Sequence, residues 1–187
     1  AGTQAPPGAE GVALTIASAE LAGDMQGLPP PPEHLLPQPG QNLTLAEVYG
    51  AAAALQQHYI DAGYPLVRVF LPVQDLDRGA ARITIRLVSG RIAEIAADAL
   101  PGRVRGAVTR YLRPLVGRAN PTVAQIERAV LLAGEVAGLT LSSALAPGKE
   151  TGDTVLIASG EYRPFEAILS ADDRLAPELG GEQVTAS

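Results

Sequence analysis

Two short segments constrain this chain more than any other feature: Thr44-Leu45-Ala46-Glu47 and its near copy Thr122-Val123-Ala124-Gln125. Each is a capping box, in which the Thr hydroxyl and the acid or amide of the third following residue satisfy unpaired N–H groups at a helix start. Behind the first, Leu45, Val48, Ala52, Leu55 and Tyr59 recur at steps of three and four, the stripe of a 3.6-period helix. Val123, Ile126, Val130, Ala133 and Ala137 repeat that spacing behind the second. Gly63 and Gly138 then supply left-handed stops, and an apolar strand follows each: residues 66–71 closed by Pro72, and residues 139–145 closed by Pro147. Turns containing Asp75, Asp77 and Gly79, or Gly148 and Gly152, lead into further strands at Ala81–Val88 and at residues 154–159. Helix, glycine stop, strand, proline, turn and strand, written twice, describe two copies of one supersecondary unit.

Upstream of each helix lies another expected strand, residues 12–17 in the first copy and Arg91–Ala96 in the second. The second copy adds a helix over residues 103–113, with Val104, Ala107, Val108, Tyr111 and Leu112 inward and Arg103, Arg110 and Arg113 outward. The matching stretch of the first copy holds Pro29-Pro30-Pro31-Pro32 and Pro37, which permits no regular helix beyond a turn. The expected fold class is α+β: two β-α-α-β-β units, each a three-stranded mixed sheet with helices on one face. The boundaries expected are an arm over residues 1–10, units over 11–89 and 90–160 that meet without sharing a sheet, and a tail over 161–187. The arms before residue 12 and after residue 159 are expected to be poorly anchored.

Composition narrows the function. Twenty acidic against fourteen basic residues give a net charge of −6, which repels phosphate backbones and argues against nucleic acid as a partner. Without cysteine there is no thiolate nucleophile or zinc-thiolate site, and with 4% aromatic residues there are few anchors for a tight ligand pocket. His34 and His58 accompany no Ser or Asp motif, Asp75-Leu76-Asp77 fails the calcium-loop spacing, and Asn42-Leu43-Thr44 uses its Thr as a helix cap. No catalytic residue, metal site or cofactor is expected. The start at Ala1-Gly2-Thr3 fits either a removed leader or a beginning within a longer protein, and no apolar run reaches the roughly 20 residues of a spanning helix.

Gly63-Tyr64-Pro65 after the longer helix and Leu71-Pro72-Val73-Gln74 after the strand, set in this tandem order, resemble the paired POTRA domains of two-partner secretion translocators. These are the TpsB, or hemolysin secretion/activation, proteins. The resemblance implies an outer-membrane protein whose periplasmic POTRA pair binds the N-terminal secretion domain of one unfolded exported partner, a TpsA-type exoprotein. The pair would hand that partner to the protein's own β-barrel. It gives Gly63, Tyr64, Pro65, Leu71, Pro72, Gln74 and Gly90 structural roles, and it makes 165–172 the first barrel strand, followed by residues 183–186 across a polar stretch. The alternative is a POTRA module of a barrel-assembly factor, binding nascent outer-membrane proteins.

The resemblance also makes the strand Leu139, Thr140, Leu141, Ser142, Ser143, Ala144, Leu145 a sheet edge. It carries no charge and no internal proline, the usual guards against strand addition. Beside Ile126 and Val130 of the preceding helix it is the expected receiving groove for an extended substrate, with micromolar affinity and with Ser142 among its edge donors.

Overall fold

A computed structural model describes residues 5–163, 169–172 and 183–186. The chain runs β1 (Ala13–Gly23), β2 (Asn42–Thr44), α1 (Leu45–Asp61), β3 (Arg68–Phe70) and β4 (Ala81–Val88). It continues through β5 (Arg91–Ala96), α2 (Gly102–Leu112), α3 (Val123–Gly134), β6 (Leu139–Pro147) and β7 (Asp153–Tyr162), and ends in β8 (Leu169–Asp172) and β9 (Gln183–Ala186). The strands form separate sheets of order β2-β1-β4-β3, β5-β7-β6 and β8-β9. In both larger sheets the first strand lies parallel to the last long strand, and both parallel pairs shift register early, between Ile16 and Ser18 and between Ile92 and Glu94. The repeat thus extends to an irregularity that neither capping box announces.

Each sheet has its own core. In β4, Ala81, Ile83, Ile85 and Leu87 are buried and alternate with Arg82, Thr84 and Arg86, and α1 lays Val48, Ala52, Leu55 and Tyr59 against them. The second core joins Ile92, Leu156 and Ala158 of the sheet to Val104, Val108 and Leu112 of α2 and to Ala129 and Ala133 of α3. Both capping boxes form. Thr44 accepts from the Glu47 N–H while its own N–H donates to the Glu47 carboxylate, and Thr122 and Gln125 repeat the exchange. No helix among the described residues is long and apolar enough to cross a membrane.

Several expectations change. The first sheet has four strands, because residues 42–44 pair with the start of β1 before the chain turns into α1. β1 continues to Gly23 rather than ending at residue 17. β3 shrinks to three residues because Pro65 and Leu66 turn instead of extending. α3 ends at Gly134, so Ala137 lies beyond it; Val123 and Tyr111, expected inward, are each more than a third exposed. Ala9 is buried and its helical turn packs on α1, and at the other end Tyr162 packs on the second core, so both arms are anchored further out than expected. Of the expected barrel strand 165–172, residues 165–168 lie outside the described residues, as do 173–181 of the polar stretch.

The two caps respond differently to acid. Hydrogen bonds from the Thr44 backbone and hydroxyl hold the Glu47 carboxyl below its ordinary value of 4.5. A depressed folded-state pKa gives stability that is complete above the unfolded value and is lost as pH falls through the folded one. Acidification below about pH 4.5 therefore weakens the cap of α1, whereas the cap at Gln125 does not titrate. Thermal melts across this range are expected to fall less steeply with acid for Glu47→Gln than for wild type. Superimposable pH profiles would contradict the assignment.

Candidate protein-binding edge and interdomain junction

β6 pairs with β7 along its whole length, from Leu139 opposite Tyr162 to Pro147 opposite Thr154, and nothing pairs with its other side among the described residues. The phase of the ladder shows which groups face out. Gly138 accepts from the Arg163 N–H at 2.7 Å, and the Gly148 N–H donates to Asp153 at 2.9 Å. In an antiparallel ladder every second residue bonds to the partner strand. The even-numbered residues of β6 therefore bond to β7, and the odd-numbered ones turn their N–H and C=O to the open edge. The Leu139 N–H is taken by the Val136 carbonyl. Leu141, Ser143 and Leu145 remain as edge donors, with no partner among the described residues. This corrects the expectation for Ser142, whose N–H faces Ser159 of β7. Leu139 is buried and Leu141 packs on the second core with Ile126 and Val130, while Thr140, Ser142, Ser143, Ala144 and Leu145 are exposed.

The first sheet treats its equivalent edge in the opposite way. The Thr84 N–H donates to Gln74 Oε1 at 2.9 Å and Gln74 Nε2 donates to the Thr84 carbonyl at 3.2 Å, so this even position of β4 faces β3. Pro72 would stand opposite Thr84 but has no N–H, and the Gln74 amide does the bonding that a further strand residue would do. By the same phase the Val69 N–H points outward, and Gln56 Oε1 of α1 accepts it at 3.0 Å. Counted from the caps Thr44 and Thr122, the position of Gln56 is held in α3 by Gly134. A β-carbon on Gly134 would sit 4.0 Å from that of Leu141. Among the described residues one edge is thus short and closed by a side chain, and the other is long and open.

The remaining motif residues meet at the junction of the two units. The Gly63 carbonyl accepts from the N–H of Val123, the first residue of α3, at 3.0 Å. Tyr64 packs on the first core, while the turn at Pro65 sends Leu66 into the second. Gly90 passes so close to the Leu66 carbonyl that no β-carbon fits between them. Asn120, buried at φ 47°, closes the joint. Its N–H donates to the Gly90 carbonyl at 2.8 Å, its Oδ1 accepts from the Gly90 N–H at 3.1 Å, and its Nδ2 donates to the Gln26 carbonyl and to Ser89 Oγ at 3.1 and 3.0 Å.

Sequence reasoning passed over Gln56, Leu66 and Asn120. Aligning the two helices from their caps would have exposed the Gln-to-Gly difference. Asn120 carries no local signal beyond its place after Gly117-Arg118-Ala119.

A family model described as POTRA domain, ShlB-type, matches residues 14–90. The chain is 22% identical over 137 residues to the heme/hemopexin transporter protein HuxB of Haemophilus influenzae, a match that covers 72% of this chain and 24% of HuxB. CdiB from Escherichia coli superposes with a TM-score of 0.65 at 21% identity, over 98% of this chain and 35% of CdiB. POTRA1-3 of Omp85 from Anabaena superposes with a TM-score of 0.56 at 13% identity, over 81% of this chain and 66% of that one. The chain spans well under half the length of HuxB or CdiB. The first unit thus carries a ShlB-type POTRA domain, and the two units together have the tandem POTRA fold, similar to the POTRA region of two-partner secretion translocators.

Proposed function

We propose that this POTRA pair lies on the periplasmic side of the outer membrane, receives the unfolded N-terminal secretion domain of an exported exoprotein by strand addition at β6, and passes it to the translocator's own barrel. The observation that carries this reading is the uncharged edge of β6, whose donors at Leu141, Ser143 and Leu145 have no partner among the described residues. Main-chain bonds are blind to side-chain identity, so they suit a substrate that arrives extended, while alternate side chains meet the apolar wall of Leu141, Ile126 and Val130. Each bond contributes about 0.5–1.5 kcal/mol net and ordering the substrate offsets part of the sum, so the main-chain bonds alone make a weak handhold and the apolar wall must supply the rest of the expected micromolar capture. A substrate held at that strength is released readily. The first domain, its edge closed by Gln56, serves as the fixed neighbour against which the receiving domain is held. The fold is shared with Omp85 POTRA domains, which bears on a barrel-assembly role, but the ShlB-type match over the first domain favours secretion.

The test transplants the guard. Gly134→Gln places an amide where Gln56 stands in the first domain, within reach of the Leu141 N–H, and improves the helix by a few tenths of a kcal/mol or more. Ser143→Pro removes the central edge donor and puts a ring in its place. Titrating an unfolded two-partner secretion domain is expected to show about tenfold weaker binding for Gly134→Gln, and a larger loss for Ser143→Pro, with circular dichroism unchanged. If both folded variants bind as wild type does, β6 is not the receiving edge.

A further inference from the structure

Charge is distributed very unevenly along this chain. Between Asp98 and Glu127 there is no acidic residue, yet Arg103, Arg105, Arg110, Arg113 and Arg118 all lie there; the remaining nine basic residues face twenty acidic ones. Arg105 is occupied, donating to the Asp98 and Leu100 carbonyls and standing 3.8 Å from the Asp98 carboxylate. Arg103, Arg110, Arg113 and Arg118 are exposed and make no ion pair among the described residues.

The helix also shapes the patch. Arg103, Gly106, Arg110 and Arg113 follow at steps of three and four, so they share one stripe of α2 and its helical C-cap, opposite the buried Val104, Val108 and Leu112. Gly102, Gly106 and Thr109 keep the floor between the arginines low. At the margin Tyr111 is 37% exposed under the Arg110 guanidinium, 5.5 Å from its ring centroid, and Val116 is 41% exposed.

We propose that this face of α2 docks on an anionic phospholipid bilayer surface. Exposed arginines along one stripe, with an amphipathic aromatic and an aliphatic side chain beside them, form the chemistry that lies against headgroups. The charges run over about 15 Å of helix along a shallow trough, a spread that suits many mobile phosphates better than one extended acidic peptide. The acidic remainder of the molecule orients this face toward a negative surface and repels the others from it. α2 packs on α3, and α3 on β6, so the docking face is separated from the receiving edge. The inference does not depend on substrate capture there.

The experiment is co-sedimentation of the chain with large vesicles of phosphatidylcholine containing roughly 30% phosphatidylglycerol, against pure phosphatidylcholine, at low and high salt. Binding is expected on the anionic vesicles alone and is expected to fade as salt rises. An Arg103→Gln, Arg110→Gln, Arg113→Gln triple variant leaves Arg105 and its carbonyl bonds intact, and is expected to bind the vesicles more weakly by about fivefold per arginine. Its circular dichroism and its capture of an unfolded secretion domain are expected to stay at wild-type level. Three results overturn the proposal: no binding to the anionic vesicles, equal binding to both lipids, or unchanged binding by the folded triple variant. Preferential binding of soluble polyglutamate at these arginines, without vesicle binding, also rejects the membrane and assigns the face to an acidic protein segment.

Discussion

Asn120→Ala is expected to lower stability by about 2–4 kcal/mol and to loosen the joint between the two domains. The substitution removes three side-chain hydrogen bonds and leaves the Gly90 N–H, which the Asn120 Oδ1 accepts, without a partner in a buried place. An unmet buried donor costs about 1–3 kcal/mol. Alanine must also adopt φ 47°, a left-handed conformation that asparagine tolerates and alanine pays about 1–2 kcal/mol to enter. Asn120→Gly separates the two causes, because it loses the same bonds without the strain and is expected to recover about 1 kcal/mol. Urea unfolding measures the loss. Limited trypsin digestion after Arg91, which follows Gly90, reports the joint itself and is expected to speed up in both variants. Wild-type unfolding together with wild-type cleavage in Asn120→Ala would show that the joint rests on the insertion of Leu66 alone.

Tyr59→Ala is expected to cost about 3–5 kcal/mol, the range for removing a large aromatic ring from a core. Tyr59 is fully buried at the centre of the first core, on the stripe with Val48, Ala52 and Leu55, and the His58 ring meets its edge at 5.6 Å. Its hydroxyl donates to the Pro29 carbonyl at 3.1 Å, and so ties the proline run to α1 where the second domain has a helix instead. Burial pushes the phenol pKa above its ordinary value, so the group remains a donor through the neutral range. Tyr59→Phe keeps the ring and loses only this bond, and is expected to cost about 1 kcal/mol. The two variants divide the effect: amide exchange is expected to quicken mainly in the proline-rich stretch for Tyr59→Phe, and throughout β1, α1 and β4 for Tyr59→Ala. Equal losses for both would place the whole contribution in the hydroxyl.

The repeat was readable because capping, helix periodicity, glycine stops and strand alternation are local rules. Thr44 with Glu47, Thr122 with Gln125, and the alternation from Ala81 to Leu87 each specify a structure within a few residues, and each is present in the fold. The same local rules located the strand at Leu139 and its lack of charge. They could not say which of its amides face outward, since ladder phase depends on pairing with β7, and Ser142 and Ser143 look alike until that partner is in place. Nor could they foresee that Gln56 closes one edge where Gly134 leaves the other open, because a side chain meets a strand end only after the helix has packed on the sheet. Leu66 reads locally as the start of a strand and is an inserted contact with the other domain, and Asn120 reads as an ordinary loop residue and ties three segments together. The helix starts, the alternation of β4 and the repeated order of elements were therefore determined by the sequence alone, whereas the short strand at Asn42–Thr44, the extents of β1 and β3, edge phase, edge closure and the joint between domains were decided by contacts between residues far apart in the chain, whose geometry exists only in the folded molecule.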